Sequence, residues 1–574
     1  MFEITLIFTT ALGLAWLLGS YMTGVFSGQS HFSDRLFNPI EKWIYRAIGV
    51  NAHSGMTWKS YGAAFLISNL VLGILAFLIL KFQHVLPLNP DGIGPLSWDL
   101  ALHTAVSFLT NTNQQHYSGQ AQLSYLSQGF VIVTLQFVTP AMALAVCVAI
   151  LRGMLGGLNN DSAKEGEARN LGNYYVDLVR GVLRLMLPLA AIVALLLTWQ
   201  GVPSSFDGAQ KVNTLDSASP ITEQVVPIGP VASMVAIKQL GTNGGGWYGP
   251  NSSNPLENPT PVSNVIETIA LVLIPMAVVF MAGGMLRRKK FTLMALVAMG
   301  LLSVSFLGAT VYSELQPNAA FAGLSAQGPN MEGKEVRFGP ELSALWASFT
   351  TQTSNGSVNA MHDSFNPIGG LMTRSGMLLN AIWGGIGCGF VNFIVYVWIA
   401  VFLSGLMIGR TPEIFGRKLE TREITLLGSL LVLPTLCVLG LTAITVAIPS
   451  VTGNSNPGFH GISQVFYEYT SAFANNGSGF EGLGDNTPWW NISCVIALLL
   501  GRYLPLFLPL AIAGMMSSKR VSPDSNASLK LESPTFCFTL IAVILIINFL
   551  SFLPAAVLGP IGEALELATM SLEK

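Results

Sequence analysis

At 574 residues, 51% hydrophobic and only 10% charged, the chain falls far below the usual charged share of about 25%. That excludes a soluble globular domain and leaves a polytopic, all-helical membrane protein. A net charge of −2 offers no basic face for nucleic acid. The five Cys (147, 388, 437, 494 and 537) lie in or beside apolar runs and form no C-x-x-C, as small core residues do.

A membrane span takes about 20 apolar residues, and the chain offers ten candidates in order. Ile4–Tyr21 lacks a basic leader and a small-residue cleavage site, so it reads as a retained helix. Tyr61–Leu80 and Phe130–Leu151 follow. Leu185–Trp199 is short and must borrow the preceding turn, with Arg180 and Arg184 snorkelling. Then come Thr268–Leu286, Phe291–Tyr312, the overlong Ser375–Ile408, Ile424–Ile448, Trp489–Met516 with Arg502 inside it, and Thr535–Leu558. Between spans lie four stretches too short to cross: Trp98–Leu109, Val231–Leu240, Glu341–Thr351 and Ile462–Phe473. Asn159–Asn173 reads as a polar inner loop, Gly201–Pro230 as an outer one, and Asn251–Pro261 as an Asn/Pro cluster.

Each short stretch ends in a run of Thr, Ser, Asn and Gly, marked by Asn113, Asn243, Asn355 and Asn476. One such run is an ordinary turn. Four, each after a half-length helix and between two spans, predict loops converging on a pseudo-fourfold axis. Gly and Asn tolerate positive φ. Non-helical backbone is admissible at membrane depth only inside protein or against a watery cavity. A ring of such carbonyls can replace the water around K⁺, and the helix C-termini would favour a cation.

Lys and Arg predict the orientation. With the N-terminus outside, the clusters at 35–59, 152–184, 287–290, 410–422 and 519–530 all fall inside, as the positive-inside rule requires. Both termini and all four loops then face out. No Lys or Arg lies between Ser450 and Trp490, which suits a cation entrance.

Asn355-Gly356-Ser357 and Asn476-Gly477-Ser478 fit a glycosylation pattern but lie inside the repeated runs. Gly482-Leu483-Gly484-Asp485 fits an intramembrane protease string, yet Asp485 sits at a span end with no second mid-depth Asp, so it reads as a surface turn. His116 and His362 follow two of the runs and read as hydrogen-bonding supports. Gly384, Gly385, Gly387 and Gly389 crowd the overlong span. They mark either a break or close packing on small residues. Arg410 and Arg502 are basic groups near or within spans, functional by default, with snorkelling as the alternative. The glycine segment with Arg410 is the expected gate. No Walker string and no Asp-Lys-Thr-Gly is present, so ATP hydrolysis by either route is not expected.

The strings at 110–119, 241–246, 358–365, 408–413 and 471–478 closely resemble the KdpA family, the potassium-binding, channel-like subunits of bacterial K⁺-transporting P-type ATPases. The resemblance runs the full length. It implies the K⁺-transporter superfamily fold: four M1–P–M2 repeats (58–155, 174–287, 291–410 and 423–518) between extra helices at 1–28 and 533–560. Carried over by residue, the K⁺ filter comprises Asn111, Thr112 and Asn113; Thr242, Asn243 and Gly244; Ser354, Asn355 and Gly356; and Asn475, Asn476 and Gly477. Gln115 would support it. The family pattern has Cys-Gly where this chain has Asn355-Gly356, a small change if carbonyls are the ligands. The resemblance also implies a P-type ATPase catalytic subunit, a single-span small subunit and a very small fourth subunit as partners. It implies residence in the bacterial inner membrane, no organic cofactor, and exit of K⁺ through an intersubunit tunnel. The competing reading is a transporter of the same superfamily driven by membrane potential or an ion gradient, without an ATPase.

Overall fold

The computed structural model describes residues 2–158, 167, 169–215, 220–321, 328–522 and 530–572. Lys164, Lys574 and most of the Asn159–Asn173 linker lie outside them. Among the described residues ten helices are long and apolar enough to cross a membrane. The spans are α1 (Phe2–Phe26), α3 (Trp58–Phe82), α5 (Leu126–Leu155), α6 (Tyr174–Trp199), α8 (Pro261–Leu286) and α9 (Lys289–Glu314), then α12 (Cys388–Ile408), α13 (Thr421–Val446), α15 (Pro488–Ser517) and α16 (Pro534–Ala556). Four half-helices stand between them: α4 (Trp98–Leu109), α7 (Val231–Leu240), α10 (Gly339–Gln352) and α14 (Gly458–Phe473). The first two have the bounds their sequences predict. Ser97 opens α4 by accepting from the Leu100 N–H.

Burial sorts the spans. α5 and α8 are covered on nearly all sides, whereas α3 turns Leu66, Ile67, Leu70, Val71, Ile74 and Leu75 outward, the arrangement of inner and lipid-facing helices. The extra N-terminal helix docks by a small-residue stripe. Ala11, Ala15 and Gly19, four residues apart, are buried, and a Cβ at Gly19 would run into Ala277 O and Phe280 Cβ of α8. Backbones approach this closely in membranes only over small residues.

Two findings revise the reading of the fourth span. α6 begins at Tyr174, capped by the Asn173 side chain, and keeps its length through a π turn over Gly181–Met186. Arg184 does not snorkel. A helix the hydropathy pattern does not announce, α2 (Asp34–Ala47), supplies Asp34 (2.5 Å), Asn38 (2.7 Å) and Glu41 to its guanidinium. The linker Gly201–Pro230 carries two short strands, β1 (Gln210–Asn213) paired antiparallel with β2 (Glu223–Val226).

The overlong span is broken. α11 (Pro367–Leu379) ends on Asn380 at φ 44°, and α12 starts only at Cys388. Gly384 (φ 59°) and Gly387 (φ 80°) take the left-handed turns between them. The break is needed for packing as well. Gly384 and Gly389 are in backbone contact, and Gly387 lies against Ala143 and Leu144 of α5.

Candidate ion-binding site

The four half-helices end alike. Thr112, Asn243, Asn355 and Asn476 each return their N–H to the last turn of their own half-helix, at Ser107 O (3.0 Å), Lys238 O (3.0 Å), Thr350 O (3.1 Å) and Ser471 O (2.9 Å). This six-to-one closure needs the preceding residue in the left-handed region. Asn111 (φ 62°), Thr242 (φ 48°), Ser354 (φ 53°) and Asn475 (φ 53°) occupy it. Two residues on, Asn113 (φ 57°), Gly244 (φ 78°), Gly356 (φ 86°) and Gly477 (φ 102°) occupy it again. The true equivalent of Asn243, Asn355 and Asn476 is therefore Thr112, one residue before the marker Asn113. Loop 1 carries Asn where the others carry Gly, which displaced the apparent register.

The loops close into a ring. A Cβ at Gly244 would press into Asn355 O, one at Gly356 into Asn476 O, and one at Gly477 into Thr112 O. Gly245 abuts Asn113 and completes the circle. Side-chain amides join neighbours. Asn111 Nδ2 donates to Thr242 O (3.0 Å), Asn355 Nδ2 to Lys238 O (3.1 Å), Asn476 Nδ2 to Thr350 O (2.8 Å), and Asn475 Nδ2 to Thr112 Oγ1 (3.0 Å).

Thr112, Asn243, Asn355 and Asn476 are fully buried, at 0% exposure. Among the described residues no protein donor reaches any of their four carbonyls. Buried backbone carbonyls are almost always paired. Four equivalent unpaired ones, one from each loop around a common ring, are an arrangement able to coordinate a dehydrated cation.

Two chain families buttress the ring. Gln115 Nε2 donates to Gly246 O (3.0 Å) and its Oε1 accepts from Gly246 N–H (2.8 Å), clamping loop 1 to loop 2 at the mouth. Behind loop 2, Lys238 Nζ is fully enclosed by Asn251 Oδ1 (2.6 Å), Ser252 Oγ (2.6 Å) and the Glu257 carboxylate, while Asn251 Nδ2 donates to Gly244 O (2.6 Å). Lys238→Met should cost about 3–5 kcal/mol, because it strands Glu257 without a counter-charge. Thermal unfolding in detergent is expected to show the loss, and Lys238→Met with Glu257→Gln together should recover part of it. Lys334 and Glu314 make a similar enclosed pair (2.9 Å), and Arg374 is buried over the rings of Phe466, Tyr467 and Phe480. Lys238, Lys334 and Arg374, basic residues outside the clusters at 35–59, 152–184, 287–290, 410–422 and 519–530, thus serve the structure.

The description "Potassium-transporting ATPase A subunit" (KdpA) matches residues 5–565. The chain belongs to this family. A potassium-transporting ATPase potassium-binding subunit of Gloeobacter violaceus is 46% identical over 554 residues, 95% of this chain and 94% of that protein. The subunit of the same name from Synechocystis sp. is 44% identical over 571 residues, covering 98% and 99%. The crystal structure of the potassium transporter TrkH from Vibrio parahaemolyticus shares the fold. Its TM-score is 0.50 at 14% identity, over 89% of this chain and 98% of that one.

The glycine segment lies at the deep end of the ring, where the half-helices stop. Ile386 N–H donates to Thr242 Oγ1 (3.3 Å), Ser354 Oγ to Asn380 Oδ1 (2.7 Å), and Asn380 Nδ2 to Ala474 O (3.1 Å). Trp383 Nε1 anchors it to Ser303 Oγ (3.0 Å). Arg410 is not part of this arrangement. It is exposed beyond the far end of the 21-residue α12, about 31 Å from the glycines at 1.5 Å per residue. The basic group at the deep end is Arg502, whose Nη2 donates to Thr139 O (3.1 Å), with Thr139 Oγ1 in turn on Asn111 Oδ1 (2.9 Å).

At the mouth stands a buried polar cluster that sequence reading did not assemble. It holds His116, Glu468 and Asp485, joined by Gln114, whose amide donates to the Glu468 carboxylate. Burial disfavours charge on His116, but Asp485 and Glu468 outweigh it and hold its pKa up at about 9. The Gly482–Asp485 turn packs its Asp485 carboxylate against loop 1, 3.9 Å from His116 Nε2, while Gly484 remains at the surface. His362 does act as a support, with Nδ1 2.9 Å from the Tyr467 hydroxyl.

Proposed function

We propose that this chain is the K⁺-binding and translocating subunit of an ATP-driven K⁺ uptake pump of the bacterial inner membrane. The reading rests on one observation above the rest: four buried, unpaired carbonyls at equivalent positions of four converging loops. The names of the relatives, as potassium-binding subunits of a potassium-transporting ATPase, supply the ion and the assembly. K⁺ enters from outside, sheds water onto the carbonyls of the filter triplets from Asn111–Asn113 to Asn475–Gly477, and waits above the glycine segment. ATP is hydrolysed by a separate P-type catalytic subunit to which the ion passes. A single-span subunit and a very small fourth one complete the assembly. The N- and C-termini lie on the outer face, and the four repeats run over 58–155, 174–287, 291–410 and 423–518.

Purification in mild detergent tests the assembly. A larger ATPase subunit should accompany the chain, and rubidium uptake into reconstituted vesicles should require ATP. If the chain purifies alone and takes up rubidium on an imposed potential without ATP, the gradient-driven alternative holds instead. Gln115→Leu removes the clamp on Gly246. Losing about 1 kcal/mol of loop order should weaken K⁺ binding about fivefold, as titration calorimetry of the purified chain would register.

A further inference from the structure

Three metal-ligating side chains, His116, Glu468 and Cys494, meet at the mouth of loop 1 with Asp485 beside His116, and the K⁺ reading gives them no task. His116 Nε2 lies 3.3 Å from Glu468 Oε1 and 3.9 Å from Asp485 Oδ2. Donor atoms of His116, Glu468 and Cys494 all lie within 4.8 Å of one another. A tetrahedral ion with bonds of about 2.0–2.3 Å separates its ligand atoms by about 3.3–3.8 Å. These three are thus about 1 Å of contraction from closing on such an ion, and the Asp485 carboxylate lies beside the imidazole.

The imidazole is already oriented for it. His116 Nδ1 is 2.7 Å from Asn491 Oδ1, and Asn491 Nδ2 donates to Asp99 Oδ2 (2.8 Å). The amide oxygen can only accept, so Nδ1 carries the proton and Nε2 faces the carboxylates. Metal-bound histidines are held in this way by a partner on the other ring nitrogen. His103 stacks on the ring at 3.7 Å between centroids and fixes its plane. Three of the four side chains are enclosed, while Asp485 is 30% exposed and opens the cluster to solvent.

We propose that His116 Nε2, the Glu468 carboxylate and Cys494 Sγ, with Asp485 as fourth ligand, form a binding site for a divalent transition metal of the zinc class. An imidazole nitrogen and a thiolate sulfur select such ions over Mg²⁺ and Ca²⁺, which take oxygen. The ion replaces the proton between His116 and Glu468 and the thiol proton of Cys494; both leave to solvent. A bound metal would pin loop 1, three residues past Asn113, to half-helix α14. The proposal concerns metal binding alone and does not depend on the K⁺ assignment.

The full chain, purified in detergent, equilibrated with Zn²⁺ and desalted, should retain one Zn²⁺ per molecule. Co²⁺ in its place should give tetrahedral visible bands and a sulfur-to-cobalt charge-transfer band. Cys494→Ser should remove that charge-transfer band. Asn491→Ala, which removes the partner of the imidazole's far nitrogen together with the bond to Asp99, should weaken Zn²⁺ binding about ten- to a hundredfold. Absence of the sulfur band in the unaltered protein would overturn the proposal whatever the variants do. So would Zn²⁺ retention unchanged in Cys494→Ser.

Discussion

Gly356→Ala is expected to weaken K⁺ binding about a hundredfold. Two costs add. A side chain at φ 86° carries about 1–2 kcal/mol of left-handed strain. The new Cβ also drives into Asn476 O and lies 3.0 Å from Gly477 Cα, displacing one of the four carbonyls around the ring. A total near 3 kcal/mol is about two decades in affinity. Gly244→Ala and Gly477→Ala meet the next loop in the same way and should behave alike. Gly13→Ala, whose Cβ would meet nothing within 4 Å, is the control and should leave affinity unchanged. Calorimetry with K⁺ and with Na⁺ separates lost binding from lost discrimination. Wild-type affinity in Gly356→Ala would remove loop 3 from the site.

Excising Gly385–Cys388 is expected to turn the subunit into a passive K⁺ leak. These residues lie across the deep end of the ring against Thr242 and Ser354, where an ion leaving the loops must pass. The ends that remain, Gly384 and Gly389, already touch, so one peptide step of about 3.8 Å can rejoin them. The rest of α12 keeps its place. Each 1.4 kcal/mol taken off the barrier is about tenfold in flux, so removal of a steric plug should be plain in a vesicle assay with a K⁺ electrode and no ATP. Arg410→Ala should not leak. At about 30 Å from the ion its charge is several Debye lengths away. A folded excision variant that passes no K⁺ would place the barrier elsewhere.

The parts legible in the sequence were those written in local chemistry. Half-helix α4 opens on its own Ser97 cap, and both α4 and α7 run directly into Thr/Asn/Gly stretches, so length and composition locate them. The break before α12 was visible as a glycine cluster, with close packing left as the alternative; the structure shows both, since Gly384 turns the chain and Gly387 also packs on α5. The illegible parts join distant residues. Arg184 looks like a snorkelling charge until α2 folds back with Asp34 and Glu41. No sequence signal pairs Lys238 in α7 with Glu257, which encloses it. His116, Glu468, Asp485 and Cys494 belong to different elements, and no spacing links them. Arg410 drew attention as a charge near a span end, but only the length of α12 shows how far it stands from the glycines.

The central claim is that four loops hold a K⁺ ion by their backbone. Crystals soaked in Tl⁺ or Rb⁺ test it most directly, because anomalous scattering locates the ion without assumption. The account predicts a peak on the ring axis, shared among the carbonyls of Thr112, Asn243, Asn355 and Asn476. Diffraction with ordered loops and no anomalous peak between them, or with the ion held only elsewhere in the chain, would contradict it.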